Sequence, residues 1–138
     1  MAKTLDARTS LTIASSGTLD EATTWIQNSG LINCAGKQGM NVEFQITFGA
    51  GATDEVYLYL VHSNDTSTSD PDKDITSAAQ AYPLACVSAV ASSTVVATPH
   101  IPLEYILEGN LIGFGAKNTD EATGHSVSIT CYYQTLTL

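Results

Sequence analysis

Hydrophobic and polar residues alternate most cleanly between Met40 and Ser63, in the stretch MNVEFQITFGAGATDEVYLYLVHS. Val42, Phe44, Ile46 and Phe48 alternate with Glu43, Gln45 and Thr47. That period of two marks a strand with one buried face. Small, turn-prone residues from Gly49 to Asp54 break the pattern. Val56, Leu58 and Leu60 then resume it, with Tyr57, Tyr59 and Val61 on the other face. The stretch predicts a β-hairpin at the centre of an all-β domain.

The same reading extends along the chain. Thr9 to Ala14 alternates through Leu11 and Ile13 and predicts a short first strand. Thr23 to Ile32 predicts a strand kinked or bulged at Asn28-Ser29-Gly30. Tyr82 to Ala91 and Thr94 to Thr98 predict a second pair of strands around Ser92-Ser93. Pro99 and Pro102 flank His100 and Ile101 and favour extended chain over helix, ahead of a short apolar run from Leu103 to Leu107. Leu111 to Ala116 reads as a strand interrupted by Gly113 and Gly115. His125 to Leu138 closes the chain, with Val127, Ile129, Cys131 and Tyr133 sharing a face. The count is about eight or nine strands, at roughly the 8–12-residue spacing of a sandwich or barrel. The expectation is a single antiparallel β-sandwich over residues 9–138, jelly-roll-like in its connections, preceded by an N-terminal arm over residues 1–8.

Composition narrows the functions. The chain has 138 residues, enough for one domain that needs neither metal nor disulfide to fold. Charged residues make up only 14% of it, which suits a chain that buries part of its outer surface against partners. The net charge is −9, and Lys3, Arg8, Lys37, Lys73 and Lys117 are scattered. Such a chain repels a phosphate backbone, so nucleic acid and anionic membrane are set aside as partners. Cys34, Cys86 and Cys131 are odd in number and far apart, which points to buried free thiols rather than a secreted disulfide framework. The start, MAKTLDARTS, has no apolar signal region, and no run approaches a membrane span, so synthesis in a cytoplasm without classical secretion is expected.

Candidate chemistry is sparse. Asp70, Asp72 and Asp74, with Asp65 nearby, are weak calcium candidates, because alternate carboxylates can converge on a cation that wants several oxygens. An EF-hand counted from Asp70 fails: its sixth position is Ile75 rather than Gly, and its twelfth is Ala81 rather than Glu. A solvated acidic loop from Asn64 to Ala81 is the better reading. His62, His100 and His125 share no close spacing with one another or with a cysteine, so zinc has no support, and a structural or loop-facing role is expected of His62 at its strand end. No G-x-S-x-G elbow occurs, and Gly49-Ala50-Gly51 lacks a P-loop lysine. Glu104 and Glu108, around Tyr105, receive no acid–base role. Trp25 reads as a core anchor. Tyr57, Tyr59, Tyr132 and Tyr133 fit either an aromatic surface for a sugar or protein, or cross-strand packing. No catalytic residue, cofactor or metal site is assigned, and no enzymatic activity is expected.

Two segments carry a resemblance. VYLYLVHSNDTSTSDPDKDIT runs strand into polar loop, and HIPLEYILEGNLIGFGAKNTDEATGHSVSITCYYQTL runs apolar strand, Asn-headed polar loop and Thr/Tyr-rich closing strand. With His62 to Asp65, Phe114 to Thr119 and Val127 to Leu138 as the matching residues, the chain resembles the small β-sandwich structural proteins of tailed bacteriophages. The resemblance implies a capsid decoration, or cement, protein on the outer surface of the virion. Such a protein binds the major capsid protein at capsomer junctions, commonly as a homotrimer, and stabilises the expanded head. Residues 1–8, Asn64 to Gln80 and Asn118 to His125 are the contact elements it suggests. Two alternatives stay open: a carbohydrate-binding module or receptor-binding part of a phage fibre, and another tail or head-completion virion protein.

Overall fold

Alternating segments become strands, and the strands sort into two sheets that close their apolar faces on each other. The computed structural model describes residues 2–19, 25–27, 31–63, 81–107, 111–120, 122 and 125–137. In chain order the elements are β1 (Thr4–Leu5), β2 (Thr9–Leu19), β3 (Ile26–Gln27), β4 (Ile32–Asn33), β5 (Lys37–Phe48), β6 (Glu55–Ser63), β7 (Tyr82–Ser88), β8 (Thr94–Ala97), α1 (Leu103–Leu107), β9 (Leu111–Asn118) and β10 (Val127–Thr137). Sheet A holds β1, β2, β10, β5 and β8, and sheet B holds β3, β4, β9, β6 and β7. All pairings are antiparallel.

Both sheets have an interrupted edge. β1 and β2 run along the same side of β10, with Thr4 opposite Thr137 and Thr9 opposite Tyr133. β3 and β4 share one side of β9, with Ile26 opposite Ala116 and Ile32 opposite Ile112. The kink or bulge expected at Asn28-Ser29-Gly30 lies outside the described residues. With each interrupted edge taken as one strand, the first strand pairs with the last, the second with the next to last, and so inward to β6 with β7. The chain is thus a long antiparallel ribbon rolled so that β10 meets β5 and β9 meets β6.

The expected central hairpin does not form. β5 pairs with β10 and β8, whereas β6 pairs with β9 and β7, so residues 49–54 turn a corner between the sheets. Alternation fixes which face of a strand is buried but not its neighbour. Phe44 and Ile46 on one strand and Val56, Leu58 and Leu60 on the other are all fully buried, and they face one another across the core. β7 and β8 are likewise in opposite sheets, so the second expected pair is also a corner. Residues 98–102 are non-helical, and the apolar run Leu103 to Leu107 forms a short helix that starts directly after Pro102.

Packing centres on Phe44 of sheet A and Phe114 of sheet B, edge to face with ring centroids 5.2 Å apart. Each such buried side chain stabilises the fold by roughly 1.5–3 kcal/mol relative to exposure. In β2, Ala14 is opposite Ile129 and Thr12 opposite Thr130. This bulge turns both Ile13 and Ala14 inward.

Two side chains, Trp25 and Cys86, depart from expectation. Trp25 is not in the core; it lies half-buried on the outer face of sheet B, over Gly115 and edge-on to Tyr59 at 5.4 Å. Gly115, opposite Tyr59, leaves the space that the indole fills. Cys34 and Cys131 are buried, and burial pushes their thiols up to about 11 and about 12. Cys86, however, is exposed, on the outer face of β7 opposite Tyr57. All three are free thiols.

Candidate functional site

The β5–β6, β7–β8 and β9–β10 corners meet at one end of the sandwich. Gly49 is the node. Its amide donates to the Ser126 carbonyl at 2.9 Å, and its carbonyl accepts from the amides of Ala52 and Ser92 at 3.2 Å. Ser92 holds a left-handed backbone, φ 56°, an uncommon conformation for a residue with a side chain. Thr119 bonds Glu55 three ways: its amide and hydroxyl donate to the Glu55 carbonyl, and its hydroxyl oxygen accepts from the Glu55 amide.

Asp120 is the buried charge of this end, with only 4% of its surface exposed. One carboxylate oxygen accepts from the Thr53 amide at 3.0 Å and its hydroxyl at 3.3 Å, and the other from the Ala122 amide at 3.0 Å. His125 Nδ1 is 2.8 Å from both oxygens. Asn118 closes the ring, accepting from the Asp120 amide and donating to the His125 carbonyl. Burial pushes the Asp120 carboxyl up, but the Thr53 and Ala122 amides and His125 outweigh it and hold the group at about 2. A paired Asp and His also occur in nucleophilic relays. Here the far edge of the imidazole lies against Gly51, where a Cβ would be 2.6 Å from Nε2. Because the same carboxylate holds Thr53 on the β5–β6 corner and His125 on the β9–β10 corner, the pair fastens two corners together. Neither the partner of His125 nor the burial of Asp120 was foreseen. The only sequence signal was Asn118 and Asp120 set just ahead of His125 in one polar loop.

A second carboxylate ties the opposite end. Asp6 accepts from Lys37 Nζ at 2.8 Å and from the hydroxyls of Thr135 and Thr137, and its amide donates to the Thr135 carbonyl. The Lys37 bond, helped by the two hydroxyls, draws its carboxyl down to about 2. Residues 4–8, expected to reach a neighbour, therefore run along the chain's own β10. Arg8 pairs with Glu43 at 2.9 Å and stacks 4.2 Å above the Tyr132 ring.

That stack borders an open groove of about 620 Å³, lined on one side by Met40 to Glu43 and on the other by Thr98 to Ile101. His100 projects into it from an exposed position. Tyr132 lies on the outer face of sheet A and Tyr133 packs partly against the core, and both line the groove. Tyr57 and Tyr59 lie on the outer face of sheet B. His62 stacks on Tyr105 with centroids 4.6 Å apart, and Tyr105 meets Tyr82 at 5.7 Å. Glu104 is exposed on α1. Asp65, Asp70, Asp72, Asp74 and Glu108 lie outside the described residues. Among the described residues no group of three or more His, Cys, Asp or Glu side chains is placed to hold a metal, and no helix is long and apolar enough to cross a membrane. No family model matches the chain, and comparison with curated proteins finds no match.

Proposed function

We propose that this protein is a non-enzymatic virion structural protein, a capsid decoration or cement protein that docks on the major capsid protein and stabilises the expanded head. The rolled ribbon reads as a jelly roll, an architecture used by viral capsid and lectin domains. Fold alone does not carry function. The observation that does carry the reading is the outer face of sheet A near the corners.

Register places Thr12, Thr130, Gln45 and Val96 in one row across four strands, and Ser128, Thr47 and Thr94 in the next. Thr47 and Thr94 bond each other at 2.8 Å, and Val96 is 55% exposed. No charge interrupts these rows, in a chain of net charge −9. Charged residues are depleted at the centres of protein interfaces, and an uncharged sheet face backed by a packed core suits docking without chemistry. Binding only to the assembled shell stabilises it by mass action.

The test has two parts. Native mass spectrometry is expected to give a trimer, and the protein is expected to co-sediment with expanded empty heads of the phage that encodes it. The charged variants Thr47→Arg and Thr130→Arg are expected to stay folded and lose head binding. A folded protein that fails to sediment with expanded heads would overturn the reading.

A further inference from the structure

We propose that the groove beside Arg8 is a binding site for a neutral saccharide. It forms because β8 is short. β8 covers β5 only from Phe44 to Thr47, and the chain leaves the sheet by Pro99, so the Met40 to Glu43 edge is left open. The resulting space, about 620 Å³, is within the roughly 300–1,000 Å³ of small-molecule sites.

The lining selects the ligand by chemistry. Arg8, Asn41, Glu43, His100, Tyr132 and Gln134 bring hydrogen-bonding groups of both kinds to one space. A purely apolar ligand would strip them of water without replacing their partners. An ion is no better served. Arg8 is neutralised by Glu43 at 2.9 Å, and the chain's charge of −9 repels anions at long range. A cation would meet the Arg8 guanidinium, whose positive charge already balances the Glu43 carboxylate. A neutral ring bearing several hydroxyls matches what remains, with Met40 and Pro99 as an apolar wall for its C–H face.

The polar groups are also held in place before any ligand arrives. Arg8 is fixed by its ion pair and by stacking 4.2 Å over Tyr132. Glu43 Oε1 accepts from both Arg8 and Gln45, while Oε2 has no donor among the described residues and is open to a hydroxyl. Such preorganisation lowers the ordering cost of binding. The groove occupies the Tyr132–Glu43 and Gln134–Asn41 rows of sheet A, apart from the uncharged rows assigned to head docking. The saccharide site therefore goes beyond the decoration reading and is tested separately from it.

The experiment is a titration of the isotope-labelled full chain with neutral oligosaccharides of gluco-, manno- and galacto-configuration and with one anionic oligosaccharide. Each is added to about 10 mM, enough to load a site with a Kd near 1 mM. At least one neutral sugar is expected to shift the amides of Asn41, Glu43 and His100, and the anionic one to leave them unmoved. His100→Ala, in an exposed loop, and Glu43→Gln, which keeps shape and removes charge, are each expected to weaken binding about tenfold with the rest of the spectrum unchanged. Absence of shifts with every neutral sugar, shifts confined to the anionic sugar, or binding indifferent to both variants would each overturn the proposal. Head binding measured on the same variants is expected to be unchanged, which keeps failure of this site distinct from failure of the decoration reading.

Discussion

Asp120 and His125 meet at 2.8 Å across the β9–β10 corner, and the same carboxylate holds the β5–β6 corner through Thr53. One buried charge thus joins two crossings between the sheets. Removing it leaves the Thr53 and Ala122 amides and the imidazole without their acceptor. Asp120→Ala is expected to cost about 2–4 kcal/mol by chemical denaturation, and Asp120→Asn somewhat less because it keeps an acceptor oxygen. A double-mutant cycle with His125→Ala is expected to show coupling on the order of 1 kcal/mol. Additive effects would mean that the 2.8 Å contact contributes no coupling.

Gly51 tests the same clamp from the other side. A Cβ there would lie 2.5 Å from His125 Cδ2. Gly51→Ala must push the imidazole away from Asp120, at an expected cost of about 1–3 kcal/mol. Gly51→Ala in a His125→Ala background is expected to recover most of that loss, as read from urea midpoints.

Acid stability follows from the two depressed carboxyls. Asp6 and Asp120 both fall from 3.8 to about 2 on folding. A folded value below the unfolded one gives stability that is complete above the unfolded value and is lost as pH falls through the folded one. The unfolding free energy is therefore expected to be level in these two groups above about pH 4 and to decline towards pH 2. Asp6→Asn and Asp120→Asn are each expected to flatten that decline, measured by denaturant titration across the range.

Asp6 also decides whether residues 4–8 stay on the sheet. With Asp6→Ala, Lys37, Thr135 and Thr137 lose their common acceptor. Amide exchange at Thr4, Leu5 and Asp6 is expected to accelerate at least tenfold, while exchange in the centre of β5 stays unchanged. Equal acceleration in both would show global destabilisation instead of local release.

Gly115→Ala addresses the aromatic cover of sheet B. The new methyl would sit 2.5 Å from the indole of Trp25 and 3.1 Å from the Ile26 carbonyl, so neither neighbour yields easily. A loss of about 1–3 kcal/mol and a red shift of the single tryptophan's emission are expected.

Period-two patterns carried much of the architecture. Val42 to Phe48 and Val56 to Leu60 were legible as one-sided strands, and two apolar-faced sets of strands in one domain require a sandwich. Their pairing was not legible, because inward side chains report a face and say nothing of which backbone lies alongside. Trp25 misled for a related reason: a large apolar ring suggests the core, and only the register of Gly115 against Tyr59 reveals a seat on the outer face. The groove was hidden as well. It brings Arg8, residues 40–43, residues 98–101 and residues 132–134 together, and no local spacing connects four segments so far apart.

The pairing of the first strand with the last has a consequence for how the molecule is made. β10 lies between β1 and β2 on one side and β5 on the other, so sheet A has no centre until the final strand is available. On a ribosome, β6 can pair with β7 and β5 with β8 before β10 emerges, while β2 has no partner strand until it does. Such long-range closure predicts slow folding and a late, all-or-none consolidation. A nascent chain released before Val127 would present the two strand edges that β10 normally occupies, a surface that invites pairing with other chains.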